Sequence, residues 1–463
     1  MMKTRLMMAA LAASLAWVSS LSANPATVAE QAAARHLRAG GCDLARGKHE
    51  GVTLDDRLRL RLEHREDGYC RSGEYFSETI DLGEPSPISV RWIEQWTAPQ
   101  RWKKHSANPI YGPSQSGAWD GWTNGVSVVR NPDGGSYKMF YCGRAGAGIG
   151  FAEAAIDLPL VWKENPASPV LRPRKDNWEG NLLNQPRVVK ATDQHWRMYY
   201  TGWGLKGAGG SNWAFGLAES FDAGLTWKRY GEDPLLERGP PGAPDDGGAF
   251  VPEVRRVDDR WMMWYTAMKD NPGKQNIHLC LATSDDGIHW KKCEQNPVLT
   301  DDFTKGPTRN ITSRCHVRYD DGVFRMWYSH AKPTYRIRYA ESLDGIHWER
   351  SPIQFALEPS PKPAWDSQKV EYPEIDLTDG QWRMWFCGNG FGTVGYAEGI
   401  VETGVRLALR SGPTAAFDAS WSEWSPLERG AVIPSGRFVQ IKAELWSQNS
   451  CLSPALNRVE LGR

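Results

Sequence analysis

The sequence predicts an all-β chain, a five-bladed β-propeller inserted into a discontinuous β-sandwich. One observation is a phrase that recurs five times: YKMFYCG (137–143), WRMYYTG (196–202), WMMWYTA (261–267), FRMWYSH (324–330) and WRMWFCG (382–388). Its second aromatic falls at Tyr141, Tyr200, Tyr265, Tyr328 and Phe386, spaced by 59, 65, 63 and 58 residues. A unit of about 60 residues suits a propeller blade of four strands. A second observation is a turn phrase that closes on Trp: SFDAGLTW (220–227), SDDGIHW (284–290) and SLDGIHW (342–348). The third is composition. With 23 Trp, 46 Gly and 30 Pro in 463 residues, the chain suits many short strands joined by tight turns, with flat aromatic surface to spare.

The elements follow in order. Residues 1–23 have a basic start at Lys3 and Arg5, an apolar run from Leu6 to Val18, and small residues before a cut after Ala23. This reads as a secretory signal, with a run too short to span a bilayer. A periplasmic or secreted protein without a membrane span is expected, and a monomer. Lys plus Arg and Asp plus Glu both number 55, so a basic nucleic-acid surface is excluded as a class.

The propeller occupies 98–400. Each unit opens on an inner strand near a Pro or Gly: NGVSVV, QPRVV, VPEV, RCHV or YPEI. The aromatic strand follows, then IGFAEA, FGLAES, LCLATS, IRYAES or VGYAEG. A fourth strand is expected to end in Trp162, Trp227, Trp290 or Trp348. In the turns, Asp222, Asp286 and Asp344 can accept backbone N–H groups, and Gly224, Gly287 and Gly345 can take positive φ. The first of these turns matches the Asp-box of sialidases, a structural turn. The fifth unit stops after VGYAEG, but RWKKHSANPIY (101–111) has the form of TWKRYGEDPLL. Trp102 therefore supplies the missing outer strand and closes the ring, which removes two exposed edges.

Residues 24–97 and 401–463 flank the propeller. Together they resemble one continuous extracellular β-sandwich module, with GRFVQIKAEL alternating apolar and polar as a strand does. Eight cysteines fit an oxidising compartment. Cys280 and Cys293 flank one turn phrase and are expected to form a disulfide. Cys42 and Cys70 are a second candidate pair. Cys142 and Cys387, at equivalent positions of the aromatic phrase, are expected as buried thiols. No CxxC pair is present, so no zinc site is expected.

Inner strands of a propeller converge on an axial funnel, which the loops after the aromatic strands also reach. That places Asp120, Asn124, Gln185, Arg187, Glu253, Arg314, His316, Glu371 and Glu374 in the candidate site, joined by Arg144, Trp203, His330 and Asn389 from the loops. Cleaving a glycosidic bond needs such carboxylates and hydroxyl-holding groups.

The five-fold MWYTG, AxSxDGxHW and NPVL phrases resemble the fructosidase and arabinanase superfamily, which includes glycoside hydrolase families 32, 43, 62, 68, 117 and 130. The resemblance covers about 100–400 and fixes no single family. It implies three acidic residues on the inner strands of the first three blades, two of them often Asp beside Pro and one a Glu. Here Glu253 in FVPEV stands on the third inner strand as the implied general acid. Gln185 stands at a position resembling an Asp before Pro, and Asn124 at the corresponding place in the first unit. Neither can act as a base, so Glu253 and Glu371, then Asp120, are the expected catalytic carboxylates.

A structural role competes at several of these positions. Asp120, Glu179 and Asp366 all follow a Trp. Glu253, Arg187 and Glu374 align with one another and suit ion pairs between blades, so both roles stay open. His316 suits a packed, hydrogen-bonded histidine. No cofactor is required, and a structural Ca²⁺ on the axis is compatible with the sequence. The expected function is hydrolysis of an oligo- or polysaccharide. The alternatives are a non-catalytic carbohydrate-binding propeller and a polysaccharide lyase, which needs a His or Tyr base and an Arg to neutralise a uronate.

Overall fold

The computed structural model describes residues 42–112, 119–121, 123–143, 147–204, 213–269, 275–301, 309–331, 333–389 and 392–462. Among them every named element is a β-strand. No helix among them is long and apolar enough to cross a membrane. The leader and its cut lie outside the described residues.

The backbone divides into two compact units. One takes the described residues up to Glu94, Val405–Ser447 and the stretch from Ser453 onward; the other takes Gln95–Gly404 and Gln448–Leu452.

The larger unit is of propeller type. Its five repeats become five antiparallel four-stranded meanders. The first comprises Asn124–Arg130, Ser136–Cys142, Ile149–Ala155 and Lys163–Glu164. The second comprises Leu183–Lys190, Trp196–Trp203, Trp213–Ser220 and Lys228–Arg229. The third comprises Gly248–Val257, Arg260–Lys269, Gln275–Ser284 and Lys291–Lys292. The fourth comprises Arg309–Asp320, Val323–Ala331, Tyr335–Ser342 and Glu349–Arg350. A short parallel pairing at Ile277 and Ile311 joins these last two. The fifth comprises Val370–Thr378, Gln381–Gly388, Thr393–Ile400 and the early strand Arg101–Lys104. Trp102 sits opposite Gly399, so the upstream segment completes the sheet that lacks its own fourth strand.

Three repeated contacts hold these sheets together. The outer-strand Trp of each sheet stands edge-on to an aromatic of the preceding one. Trp227 meets Phe140, Trp290 meets Tyr199, Trp348 meets Trp264 and Trp102 meets Trp327, at centroid distances of 5.6, 6.0, 6.2 and 6.0 Å. Trp162 of the first sheet meets Trp385 of the fifth at 6.2 Å, so the series runs in a cycle. Such pairs contribute about 0.5–1.5 kcal/mol each beyond the area they bury.

The second contact explains the basic residue two places after that Trp. It clamps the acid that precedes its own inner strand. Arg229 grips Glu179 at 2.6 and 2.8 Å, Lys292 reaches Asp245 at 2.6 Å, Arg350 reaches Asp301 at 3.4 Å, and Lys104 contacts Asp366. The first sheet breaks the rule: Glu164 stands where the cation should be, beside Asp120.

The third contact is a belt of hydrogen bonds near the inner strands. Each inner strand carries a bulge whose central residue has positive φ: Gly125, Gln185, Val251, Arg314 and Tyr372. In three of the five its N–H is taken by the residue that follows the second aromatic of the preceding sheet's phrase. Thr201 accepts from Val251, Thr266 from Arg314 and Ser329 from Tyr372, each at 3.0 Å. At the equivalent places of the first and fifth sheets stand Cys142 and Cys387, and the Cys142 thiol donates to the carbonyl of Asn124 at 2.9 Å. These two thiols stand where the other three sheets carry Thr201, Thr266 and Ser329. Burial pushes them up to about 11 and about 12.

In the smaller unit, one sheet holds Lys48–Glu50, Ser72–Phe76, Phe438–Ser447, Thr403–Gly412 and Ser425–Pro426. The other holds Val52–Leu54, Leu60–Leu62, Ala455–Gly462, Ile88–Gln95 and Val432–Ile433. Val439, Ile441, Ala443 and Leu445 alternate inward and share one apolar cluster with Leu60, Leu62, Val90 and Leu456 from the other sheet.

The expected disulfides are absent. Cys280 and Cys293 are free, as are Cys42 and Cys70. The register explains the first pair. Ala282 opposes Lys292, and Cys293 donates its N–H to Leu281, so Cys293 is one residue out of step with Cys280. With side chains alternating along a strand, that offset sends the two thiols to opposite faces. Cys280 packs toward the second sheet and Cys293 toward the fourth. Cys42 is instead hydrogen-bonded to Tyr75.

Candidate active site

The bulges sort the inner-strand residues into two levels. Immediately before the bulge residue stand Asn124, Asn184, Phe250, Ser313 and Glu371. Two places after it stand Ser127, Arg187, Glu253, His316 and Glu374. Asn124 is therefore the equivalent of Asn184 and Glu371, while Gln185 is the equivalent of Gly125. The sequence pairing of Asn124 with Gln185 is off by one residue, because it ignored the bulge.

The deeper level is a closed polar network. Ser127 accepts the N–H of Val188, Glu253 that of Val317, His316 that of Ile375 and Glu374 that of Val128, each from the following sheet. Arg187 has no acceptor and instead bridges two acids. It lies 2.5 Å from Glu253 and holds both oxygens of Glu374 at 2.8 and 2.7 Å. Arg255 contacts the other oxygen of Glu253 at 2.8 Å and reaches His316 at 3.0 Å. Burial pushes His316 well below the usual imidazole range, and the charge of Arg255 adds to this. Glu253 is 0% exposed with both oxygens engaged. Glu253, Glu374, Arg187 and His316 thus meet in one inter-sheet network of ion pairs and hydrogen bonds.

Other candidates fall at framework positions. Asp120 is buried at the acid position of the clamps. His330 pairs with Asp301 at 2.6 Å. Burial alone would raise Asp301, but His330, Arg350 and Arg338 together lower it to about 2. Asn389 accepts from the N–H of Gln368 at 2.8 Å and turns the chain with φ of 50°. The side chain of Asn124 accepts the N–H of Gly125 at 2.9 Å. Arg144 lies outside the described residues.

The upper level gathers the remaining candidates. Glu371 is flanked by Arg314 at 3.4 Å and Lys369 at 3.3 Å. The Arg314 guanidinium lies between the rings of Tyr335 and Tyr372, 4.7 and 4.8 Å from their centroids. Gln185 donates to the Tyr372 hydroxyl at 3.2 Å. Gln185 also packs over Gly125, where a Cβ would collide with it. Beside this cluster, Trp203 stacks on Trp213 at 5.4 Å, and Trp213 contacts Phe250 at 5.6 Å. Trp203 is 49% exposed, and Phe250 packs with the clusters that hold Tyr335 and Tyr372. The site therefore joins an exposed aromatic platform to an amide, two cations and one carboxylate. Lys369, Tyr372, Trp213 and Phe250 were missed as site residues. Tyr372 carried a signal, since it precedes a Pro as Gln185 and Val251 do. Lys369 carried none.

Residues 177–356 match the model of the glycosyl hydrolases family 32 N-terminal domain. The chain resembles propeller glycoside hydrolases. A solved structure described as a BT0996 RGII complex superposes with a TM-score of 0.51 at 20% identity, covering 62% of this chain and 90% of that one. Another, described as a glycoside hydrolase, gives 0.50 at 19% identity with the same coverage. Both likenesses show a shared fold. A Mycobacterium tuberculosis (strain ATCC 25618 / H37Rv) protein, named Uncharacterized protein Rv1502, is 29% identical over 316 residues, covering 65% of this chain and 99% of that protein.

Proposed function

We propose that this chain is a secreted or periplasmic glycoside hydrolase on a five-bladed propeller (98–400), inserted into a β-sandwich formed by 24–97 and 401–463. The observation that carries the reading is the cluster of Glu371, Arg314 and Gln185 beside the Trp203–Trp213 platform, in a fold shared with glycoside hydrolases. A sugar ring stacks on Trp203 through its apolar face. Gln185 and Tyr372 hold hydroxyls. Protonated Glu371 gives its proton to the glycosidic oxygen as that bond breaks, water adds at the anomeric carbon, and the water's proton returns to Glu371, whose side chain Arg314 and Lys369 hold in position. The reading needs no cofactor and no nucleic-acid or membrane partner.

A non-catalytic carbohydrate-binding propeller is the second reading. One observation favours it: Asn124, Asn184, Phe250 and Ser313 leave Glu371 as the one carboxylate at this level of the described inner strands. Polysaccharides and aryl glycosides incubated with the chain from Asn24 separate the two. New reducing ends support the hydrolase. Retention on a glycan without cleavage supports the binder, and unsaturated products absorbing in the ultraviolet would replace both with a lyase.

A further inference from the structure

Among the described residues, charge at the upper level is unbalanced. Two cations, Arg314 and Lys369, face the single carboxylate of Glu371. The equivalent positions on the other inner strands are uncharged: Asn124 and Gly125, Asn184 and Gln185, Phe250 and Val251. Arg314 is also unusually fixed. Its N–H is held by Thr266 at 3.0 Å and its guanidinium is clasped by Tyr335 and Tyr372. Its Nε is buried without a hydrogen-bond partner. Nη1 is shared between Ser313 at 3.2 Å and Glu371 at 3.4 Å, neither of them close. A planar, rigid guanidinium with unused donor capacity suits an oxyanion, which it binds through parallel N–H donors. The Lys369 side chain is 25% exposed beside it and adds a second charge.

We infer that the sugar bound here carries an anionic group, a carboxylate or a sulfate ester, held by Arg314 and Lys369 while an adjacent ring stacks on Trp203. The inference rests on the carbohydrate reading above and names the substrate class. Gln185 and the Tyr372 hydroxyl then face the neutral part of the same residue.

Affinity electrophoresis tests this without turnover. The probes are polygalacturonate against its methyl ester, and dextran sulfate against dextran. Retardation by at least one anionic member and not by its neutral partner is expected, and the retarding member tells carboxylate from sulfate. Arg314→Gln and Lys369→Gln should each weaken retardation about tenfold or more, while the exposed Lys291→Gln leaves it unchanged. Two variants at different positions guard against loss through misfolding, which the melting temperature reports. Equal retardation by neutral probes, none by anionic probes, or unaltered retardation of both variants overturns the inference. Reducing ends from neutral glycans only would sink it and leave the hydrolase standing. Anionic retention without any cleavage would do the reverse.

Discussion

Arg187 of the second sheet holds both carboxylate oxygens of Glu374 on the fifth, and its other terminal nitrogen lies 2.5 Å from Glu253 on the third. One guanidinium thus ties three sheets, at a depth where none of its partners is exposed. Removing it strands two buried acids. Arg187→Met should cost about 3–5 kcal/mol, the usual result of breaking a buried pair from one side. Urea unfolding followed by Trp fluorescence would show it. A loss well under 1 kcal/mol would mean that the network does not hold the sheets.

In the first sheet Glu164 occupies the position that carries the clamping cation in the others. Burial and then the charge of Asp120 raise Glu164 above the ordinary carboxylate range. A carboxyl raised in the folded state favours folding while protonated, and that contribution is lost as pH rises through its folded value. Glu164→Gln should therefore raise the melting temperature at pH 8 and leave it nearly unchanged at pH 4. Glu164→Lys, which copies the Lys104–Asp366 arrangement, should raise it further at pH 8.

Asp301 has the opposite sign. Lowered to about 2 against an ordinary value near 3.8, it contributes stability above about pH 4 that is lost as pH falls toward 2. Asp301→Asn should flatten that part of a melting-temperature profile. An unaltered acid limb would mean that His330 and Arg350 give the folded state nothing through this group.

Cys142 and Cys387 share their place in the belt with Thr201, Thr266 and Ser329. Replacing either by Ser or Thr should change stability by less than about 1 kcal/mol, since the equivalent positions of the other three sheets carry a hydroxyl. At Cys142, Val, which cannot donate to the Asn124 carbonyl, should cost about 1–3 kcal/mol. Raised to about 11 and about 12, both thiols should resist a disulfide reagent at pH 8 until the protein unfolds.

The sheets were legible because each repeat states its own pattern, and because Trp102 in RWKK has the form of the outer strands it joins. The basic residue after each Trp was legible as a pattern but not as a clamp, since its partner acid lies before the inner strand, far along the chain. Registers were illegible at the level of one residue. The bulge at Gln185 shifts it away from Asn124, and a single step at Cys293 separates it from Cys280. Periodicity carries no mark of an inserted residue in the left-handed region unless that residue is Gly, and only Gly125 is. Glu253 illustrates the consequence. Its place on an inner strand was visible, but its depth below the bulge, which commits it to Arg187, Arg255 and Val317, was not.

The central claim is that chemistry resides at the upper level, on Glu371, and not in the network around Glu253. The most direct test is the rate of reducing-end release by Glu371→Gln against wild type on a glycan that wild type cleaves. The melting temperature, measured alongside, controls for folding. The account predicts a fall of about 10²–10⁴-fold with a native-like melt, the range general acid–base catalysis supplies. A Glu371→Gln enzyme that cleaves at the wild-type rate would contradict it.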